Sequence, residues 1–141
     1  RQMCIRDSLK TVADNSYDFV HSSHCLEHMV DPYIAFSNWI RVVKPGGYIV
    51  ITVPDETMYE HNTWPSVFNT DHKWSFTLKS KSEMPKSIYV LDFCKYFLNT
   101  TIEKIELIND FFLSDYSNRI DQTVLPNIEC AIEVILRKNE Q

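Results

Sequence analysis

YDFVHSSHCLEHMVDP, residues 17–32, and RVVKPGGYIVITVPD, residues 41–55, decide the fold between them. Residues 17–23 bring aromatic and β-branched side chains directly after the turn-forming cluster Asp14-Asn15-Ser16, the pattern of a strand entering a buried sheet. Asp31-Pro32 then supplies a helix start, an N-cap carboxylate followed by proline at the first helical position. Tyr33, Phe36, Ile40 and Val43 recur at helical spacing, and Ala35, Trp39 and Val42 widen the apolar stripe. Lys44-Pro45-Gly46-Gly47 stops the helix, because proline cannot continue it and glycine accepts positive φ. YIVITV, residues 48–53, is a near-continuous apolar run of the kind buried on both faces of a parallel sheet. Strand, helix, turn and strand make one βαβ unit, which requires parallel strands and a right-handed crossover.

Downstream, residues 54–85 form a long polar and aromatic segment rich in Trp, His, Asn and Asp. Segments of that length are functional or disordered, and this one carries too many aromatics for disorder. Ser87 is placed to cap a second helix, with Ile88, Leu91, Cys94 or Lys95, and Leu98 at helical spacing. Strands are expected at residues 101–108 and 128–136, the second alternating Ile128, Cys130, Ile132, Val134 and Leu136 on one face. No pattern assigns residues 109–127.

The 141 residues suit one domain, and 44% apolar with 23% charged residues is globular composition. A net charge of −5 argues against a nucleic-acid partner, since phosphate neutralisation needs excess Lys and Arg. The longest apolar run is far short of the ~20 residues of a membrane helix, so no membrane partner is expected either. Cys4, Cys25, Cys94 and Cys130 form no C-x-x-C pair, which suits free thiols in a reducing cytoplasm. RQMCIRDS, residues 1–8, reads as a non-native leader, so the expectation is a chain without its true N-terminus.

His24-x-x-Glu27-His28 matches the H-x-x-E-H pattern of inverted zinc peptidases. That motif needs both histidines on one helix, four residues apart, and a third protein ligand. Here it begins one residue after a strand, and a new helix starts three residues after His28. Glu56, Glu60 and His61 are available as a third ligand, but nothing fixes the choice. We therefore assign no metal from the sequence, and zinc-dependent hydrolysis stands as the alternative enzyme reading. The bland reading is that these side chains hydrogen-bond at a strand exit, which in an open α/β sheet is also where ligands bind.

Leu26-Glu27-His28, Val43-Lys44-Pro45-Gly46-Gly47 and Val53-Pro54-Asp55, in that order around an amphipathic helix, resemble class I S-adenosylmethionine-dependent methyltransferases of the type-11-like group. Residues 69–76, Asn69 to Phe76, are similar to a His-x-x-x-Phe loop of related members. The resemblance implies an α/β, Rossmann-like methyltransferase fold, mostly parallel with a C-terminal antiparallel strand. It implies S-adenosylmethionine as cofactor and a small-molecule acceptor such as a sugar or polysaccharide precursor. The departure is large, because the family's first strand and glycine-rich cofactor loop have no counterpart; the only glycines are Gly46 and Gly47. The chain is thus expected to be a single partial domain over residues 1–141, with residues 56–86 as an acceptor-side loop.

On that resemblance Ser23, His24, Leu26 and His28 face the cofactor at the first strand's exit. His72 is the candidate general base, since imidazole is the side chain suited to proton transfer near neutral pH. Asp55, Tyr59, Asn69 and Trp74 are candidates for contacting the acceptor. The reading from outside enzymology is a non-catalytic module completed by a partner, since an unpaired first strand would expose backbone and apolar surface. The sequence assigns no oligomeric state.

Overall fold

The computed structural model describes residues 9–114 and 120–140; the leader assigned to residues 1–8 lies outside them. The βαβ unit forms as expected. β1 (Tyr17–Ser23) leads through a single 3₁₀ turn, Leu26–His28, into α1 (Pro32–Val42) and then β2 (Val43–Pro54). Asp31 caps α1, its carboxylate accepting from the backbone N–H of Tyr33 at 2.9 Å and of Ile34 at 3.0 Å. Ala35, Phe36, Trp39, Ile40 and Val42 are buried along one stripe.

The helix ends one residue earlier than its apolar period suggests. Val43 is already extended (φ −80°, ψ 139°) and pairs with Tyr17. Pro45 keeps Lys44 out of the helical region, and the Arg41 and Val42 carbonyls accept from the backbone N–H groups of Asn15 and Ser16 instead of continuing the helix. Between Tyr17↔Val43 and Phe19↔Tyr48 the register shifts, so Lys44 to Gly47 bulge out of the ladder. Gly46 sits at φ +79°. A Cβ on Gly47 would lie 2.6 Å from the Asp18 carbonyl oxygen and 2.7 Å from Val43 Cγ1. Both glycines are therefore required by geometry, one by backbone conformation and the other by close approach.

After β2 come β3 (Ser75–Thr77), β4 (Ser87–Tyr89), α2 (Val90–Tyr96), β5 (Thr100–Ile108) and β6 (Ala131–Lys138). The main sheet has the order β1-β2-β6-β5. β1 pairs with β2 in parallel, and β6 runs antiparallel to both of its neighbours. Three strands thus point one way, with the C-terminal strand inserted against them. Ile49, Ile51 and Val53 of β2 and Ile132, Val134 and Leu136 of β6 are buried, and α1 packs with Phe93 and Phe97 into the same core. Phe36 is fully buried, its ring 4.8 Å from Phe97, 5.3 Å from Phe93 and 5.9 Å from Trp39.

The second helix corrects the sequence reading. Ser87 does not cap it: β4 pairs with β3, and α2 starts at Val90 after Tyr89 with no side-chain cap. The Ser87 hydroxyl instead donates to Glu56 Oε2 at 2.5 Å. A buried carboxylate, invisible to local periodicity, has recruited the residue that would otherwise have served as the cap.

Candidate functional site

The polar centre lies where β1 ends and residues 56–74 fold back over it. His24, just past β1, adopts φ +50° and donates its backbone N–H to the Thr52 carbonyl at 2.9 Å. The chain then turns through Leu26–His28. Leu26 is buried in the core, while the Glu27 side chain, 1% exposed, points into the polar centre. The Glu27 backbone carbonyl accepts from Lys73 N at 2.8 Å and Trp74 N at 3.2 Å. These two bonds fasten the distant segment onto the strand exit and bring His72 beside Glu27.

Three imidazoles surround the Glu27 carboxylate. His24 Nδ1 is 3.7 Å from Oε1, His28 Nε2 3.8 Å and His72 Nε2 3.9 Å. None is within hydrogen-bonding distance, and neither Glu27 oxygen has a hydrogen-bond partner among the described residues. The other faces of two rings are held. His28 Nδ1 lies 3.0 Å from Asp71 Oδ2 and 3.2 Å from the Asp71 carbonyl oxygen. His72 Nδ1 lies 2.5 Å from Glu60 Oε1, with Glu60 fully buried. The His28 and His72 rings meet edge-to-face at 4.9 Å, and Tyr59 packs on His72 at 5.3 Å. The Glu27 carboxylate raises the His24 pKa, outweighing the opposing effect of burial. Lys73, and then His28, lower the pKa of Asp71.

The geometry sorts the residues singled out from sequence. His28 and His72 belong to one cluster, and Tyr59 forms its wall. The Tyr59 hydroxyl reaches Asp121 Oδ2 at 3.4 Å, and burial, followed by the Asp121 charge, pushes its pKa well above the ordinary phenol value. Ser23 and His24 lie partly open at the β1 exit. Asn69 organises the turn before His72: its side-chain oxygen accepts from Asp71 N at 3.1 Å and its carbonyl from His72 N at 3.1 Å. Trp74 is anchored by its indole N–H to the Met29 carbonyl at 3.0 Å, with Lys86 Nζ 4.8 Å above its ring. Asp55 caps the following turn, accepting from Thr57 N and Met58 N at 2.9 Å each. Burial raises its pKa, opposed by those two N–H groups.

Glu27 and Glu60 entered the sequence reading only through the zinc alternative, Glu27 inside the H-x-x-E-H pattern and Glu60 as one of three possible third ligands, and neither has a role in the methyltransferase reading. Glu60 lies twelve positions before His72, a separation that carries no period, so only the folded loop reveals their pairing. Glu60 also lines a cleft of about 230 Å³ with Thr57, His61, Asn62, Thr63, Val67 and Phe68. Glu60 is thus the residue shared by the polar centre and the cleft.

A sheet with an inserted antiparallel strand, a βαβ unit ending in a polar strand exit and a loop folded over that exit define the Rossmann-like methyltransferase class. A methyltransferase-domain family model matches residues 4–87, more than half of the chain, and the chain belongs to that family. Over 40 residues it is 42% identical to phosphoethanolamine N-methyltransferase 2 of Caenorhabditis elegans, a match spanning 28% of this chain and 9% of that protein. A S-adenosylmethionine-dependent methyltransferase from Archaeoglobus fulgidus superposes with a TM-score of 0.56 at 21% identity, covering 92% of this chain and 63% of that one. A possible histamine N-methyltransferase from Thermotoga maritima gives 0.56 at 20% identity, covering 92% and 59%. The [4+2]-cyclase SpnF gives 0.59 at 15% identity, covering 92% and 52%. At these identities the structures speak for the fold alone, and the cyclase among them shows that this fold carries more than one chemistry. The chain spans less than two thirds of the length of each of these relatives.

The family uses S-adenosylmethionine, and the described residues fit it only in part. Ser23 and His24 offer partly open polar groups at the strand exit, the side on which such sheets bind ligands. Among the described residues no glycine-rich loop accompanies them.

Proposed function

We propose that this chain is the acceptor-side portion of a cytoplasmic S-adenosylmethionine-dependent methyltransferase that methylates a small molecule, with the cofactor cradle encoded upstream. The observation that carries this reading is the outer edge of β1. Tyr17 and Phe19 are 48% and 54% exposed, and β1 has no neighbour on that edge among the described residues. An apolar parallel strand left unpaired is a surface that further strands cover in this fold class. Partial coverage of every relative named above supports the same reading.

A small polar acceptor, of the sugar or polysaccharide-precursor class, suits the cleft beside Glu60, whose lining includes Thr57, Asn62 and Thr63. His72 is the proton acceptor of this reading, held by Glu60 on one nitrogen. A hydroxyl acceptor of high pKa gains from such a base, whereas an amine need only arrive neutral. Nucleic acid is not a proposed partner of a chain with net charge −5. No helix among the described residues is long and apolar enough to cross a membrane, and none is proposed as a partner.

The test starts at the native locus, by sequencing upstream of codon 1 and expressing the full reading frame. An upstream strand, glycine-rich loop and acidic strand end, with S-adenosylmethionine binding by calorimetry, is the expected result. Residues 1–141 alone should aggregate or dimerise and bind the cofactor poorly. Tight cofactor binding by a monomer of these residues, or an upstream frame without the cradle, would sink the proposal. A partner-completed, non-catalytic module would then account for the open β1 edge.

A further inference from the structure

The unpaired Glu27 carboxylate carries more than the methyltransferase reading uses. Glu56 shows how this protein normally keeps a buried acid: 2% exposed, it accepts from Ser82 Oγ at 2.6 Å and Ser87 Oγ at 2.5 Å and lies 3.7 Å from Lys79 Nζ. Glu27 is as deeply buried and has no donor on either oxygen among the described residues. Leaving a carboxylate buried without a partner costs several kcal/mol.

We propose that Glu27, His28 and His72 bind a divalent transition-metal cation of the zinc class. One ligand atom from each lies within 4.8 Å of the other two. Ligands on a tetrahedral ion with bonds of ~2.1 Å stand ~3.4 Å apart, so the 3.8 and 3.9 Å separations from Glu27 need a small contraction and the two imidazoles, within 4.8 Å, must draw together as the ion binds. Two nitrogens and one carboxylate oxygen suit zinc and its neighbours, whereas magnesium prefers oxygen alone.

The second observation lies behind the ligands. Each histidine places Nδ1 against a carboxylate, His28 on Asp71 and His72 on Glu60, and turns Nε2 toward Glu27. A carboxylate on Nδ1 holds the proton there and leaves the Nε2 lone pair for a metal, the outer-shell arrangement of metal-binding histidines. Both Nε2 lone pairs then face a carboxylate oxygen. These groups repel one another until a cation sits between them. The backbone bonds from Lys73 and Trp74 to the Glu27 carbonyl hold the two halves in register.

This set is not the one the H-x-x-E-H pattern suggests. His24 and His28 do not share a helix, since the turn between them is a three-residue 3₁₀ element. Residue 72, from the far loop, supplies the second imidazole. Glu60, behind His72, also borders the open cleft, so the bound ion lies one residue from an acceptor-sized space.

The test uses the full reading frame, stripped of metal by chelator and titrated by calorimetry with Zn2+, Mn2+ and Mg2+ in turn. One Zn2+ per chain is expected. Glu27→Gln and His72→Ala should each weaken Zn2+ binding about 100-fold or more. Glu60→Gln, which loosens only the outer shell, should weaken it ~10- to 100-fold. His21→Ala, an exposed histidine of β1 outside the cluster, should leave it unchanged. Because His72→Ala can perturb folding, Glu27→Gln decides: its metal-free form should melt above metal-free wild type, yet gain no melting temperature from Zn2+ while wild type does. No Zn2+ uptake by the wild type, uptake unaltered in Glu27→Gln, or uptake of Mg2+ alone would overturn the assignment. None of these readouts depends on methyl transfer; an ion on His72 Nε2 takes the lone pair that a proton acceptor needs, so Zn2+ uptake would remove His72 as the base of the proposed activity while leaving the fold and cofactor reading untouched.

Discussion

The layer formed by β1, α1 and β2 and the segment from Glu56 to Lys86 are both well packed, but by different means. In the first, Phe36, Ile49, Ile51 and Val53 lie at 0–2% exposure and touch mainly other apolar groups. In the second, Glu56, Glu60, Ser66, His72, Ser75 and Thr77 are buried, and hydroxyls, carboxylates and imidazoles do the filling. Apolar contacts are non-directional and forgive small displacements. Buried polar contacts are directional and costly when left unmade. The first layer should therefore fail by degree as atoms are removed, and the second by loss of single partners.

The largest effect tests the apolar layer. Phe36→Ala removes a fully buried ring packed on Trp39, Phe93 and Phe97. It should cost about 3–5 kcal/mol, read from denaturant midpoints of the full reading frame at unchanged slope. A loss below about 1 kcal/mol would mean that α1 does not anchor this core.

The matching test of the polar segment is Ser87→Ala, which deletes one methylene-borne hydroxyl from Glu56. Hydrogen bonds to a charged group contribute about 1.5–3 kcal/mol, so the smaller deletion should rival a large apolar one. It also has a pH signature. Burial, the largest single influence, would raise the Glu56 pKa, but the Ser82, Ser87 and Thr77 hydroxyls together with the Lys79 charge outweigh it and hold the group below the ordinary value. A depressed carboxylate adds stability above its unfolded pKa and loses it as pH falls through the folded one. Ser87→Ala should accordingly move the acid-unfolding midpoint upward. An unshifted midpoint would show that Ser82, Thr77 and Lys79 keep Glu56 charged without Ser87.

Gly47→Ala sharpens the contrast within the apolar layer, because the obstruction there is backbone. The new methyl meets the carbonyls of Asp18 and Lys44 at 2.6 and 2.9 Å. Neither can move without disturbing the β1–β2 register, and overpacking of this kind costs about 1–3 kcal/mol. Chemical denaturation measures it. A neutral outcome would mean that the bulge between Val43 and Tyr48 relaxes freely.

The same contrast explains what was legible in the sequence. Tyr33, Phe36 and Ile40, the Asp31-Pro32 start and the alternation along β6 are local periodic signals, and each produced its element. The helix at Ser87 was misread because the side chain that claims Ser87 is 31 positions away. The polar centre was half legible. His28 and His72 were singled out one at a time, whereas their meeting at Glu27 depends on two backbone bonds from Lys73 and Trp74. Asp55 was singled out as an acceptor contact, whereas the hydrogen bonds it accepts from Thr57 and Met58 give it a capping role that no local period announces.

The smallest predicted effect belongs to the signal that was easiest to read. Asp31→Ala removes one exposed carboxylate, leaving the N–H groups of Tyr33 and Ile34 to water. Replacing an N-cap Asp by Ala costs about 1 kcal/mol, and Asp31→Asn should recover most of that because the amide oxygen accepts the same bonds. The pair separates capping from charge. Recovery in Asn assigns the loss to the two hydrogen bonds, whereas an equal loss in both variants would assign it to the carboxylate's charge at the positive end of α1. Thermal melts of the two variants decide between them. A strong local sequence signal can therefore mark a modest energy: it fixes where the helix begins, while the aromatic face behind it determines how firmly the helix is held.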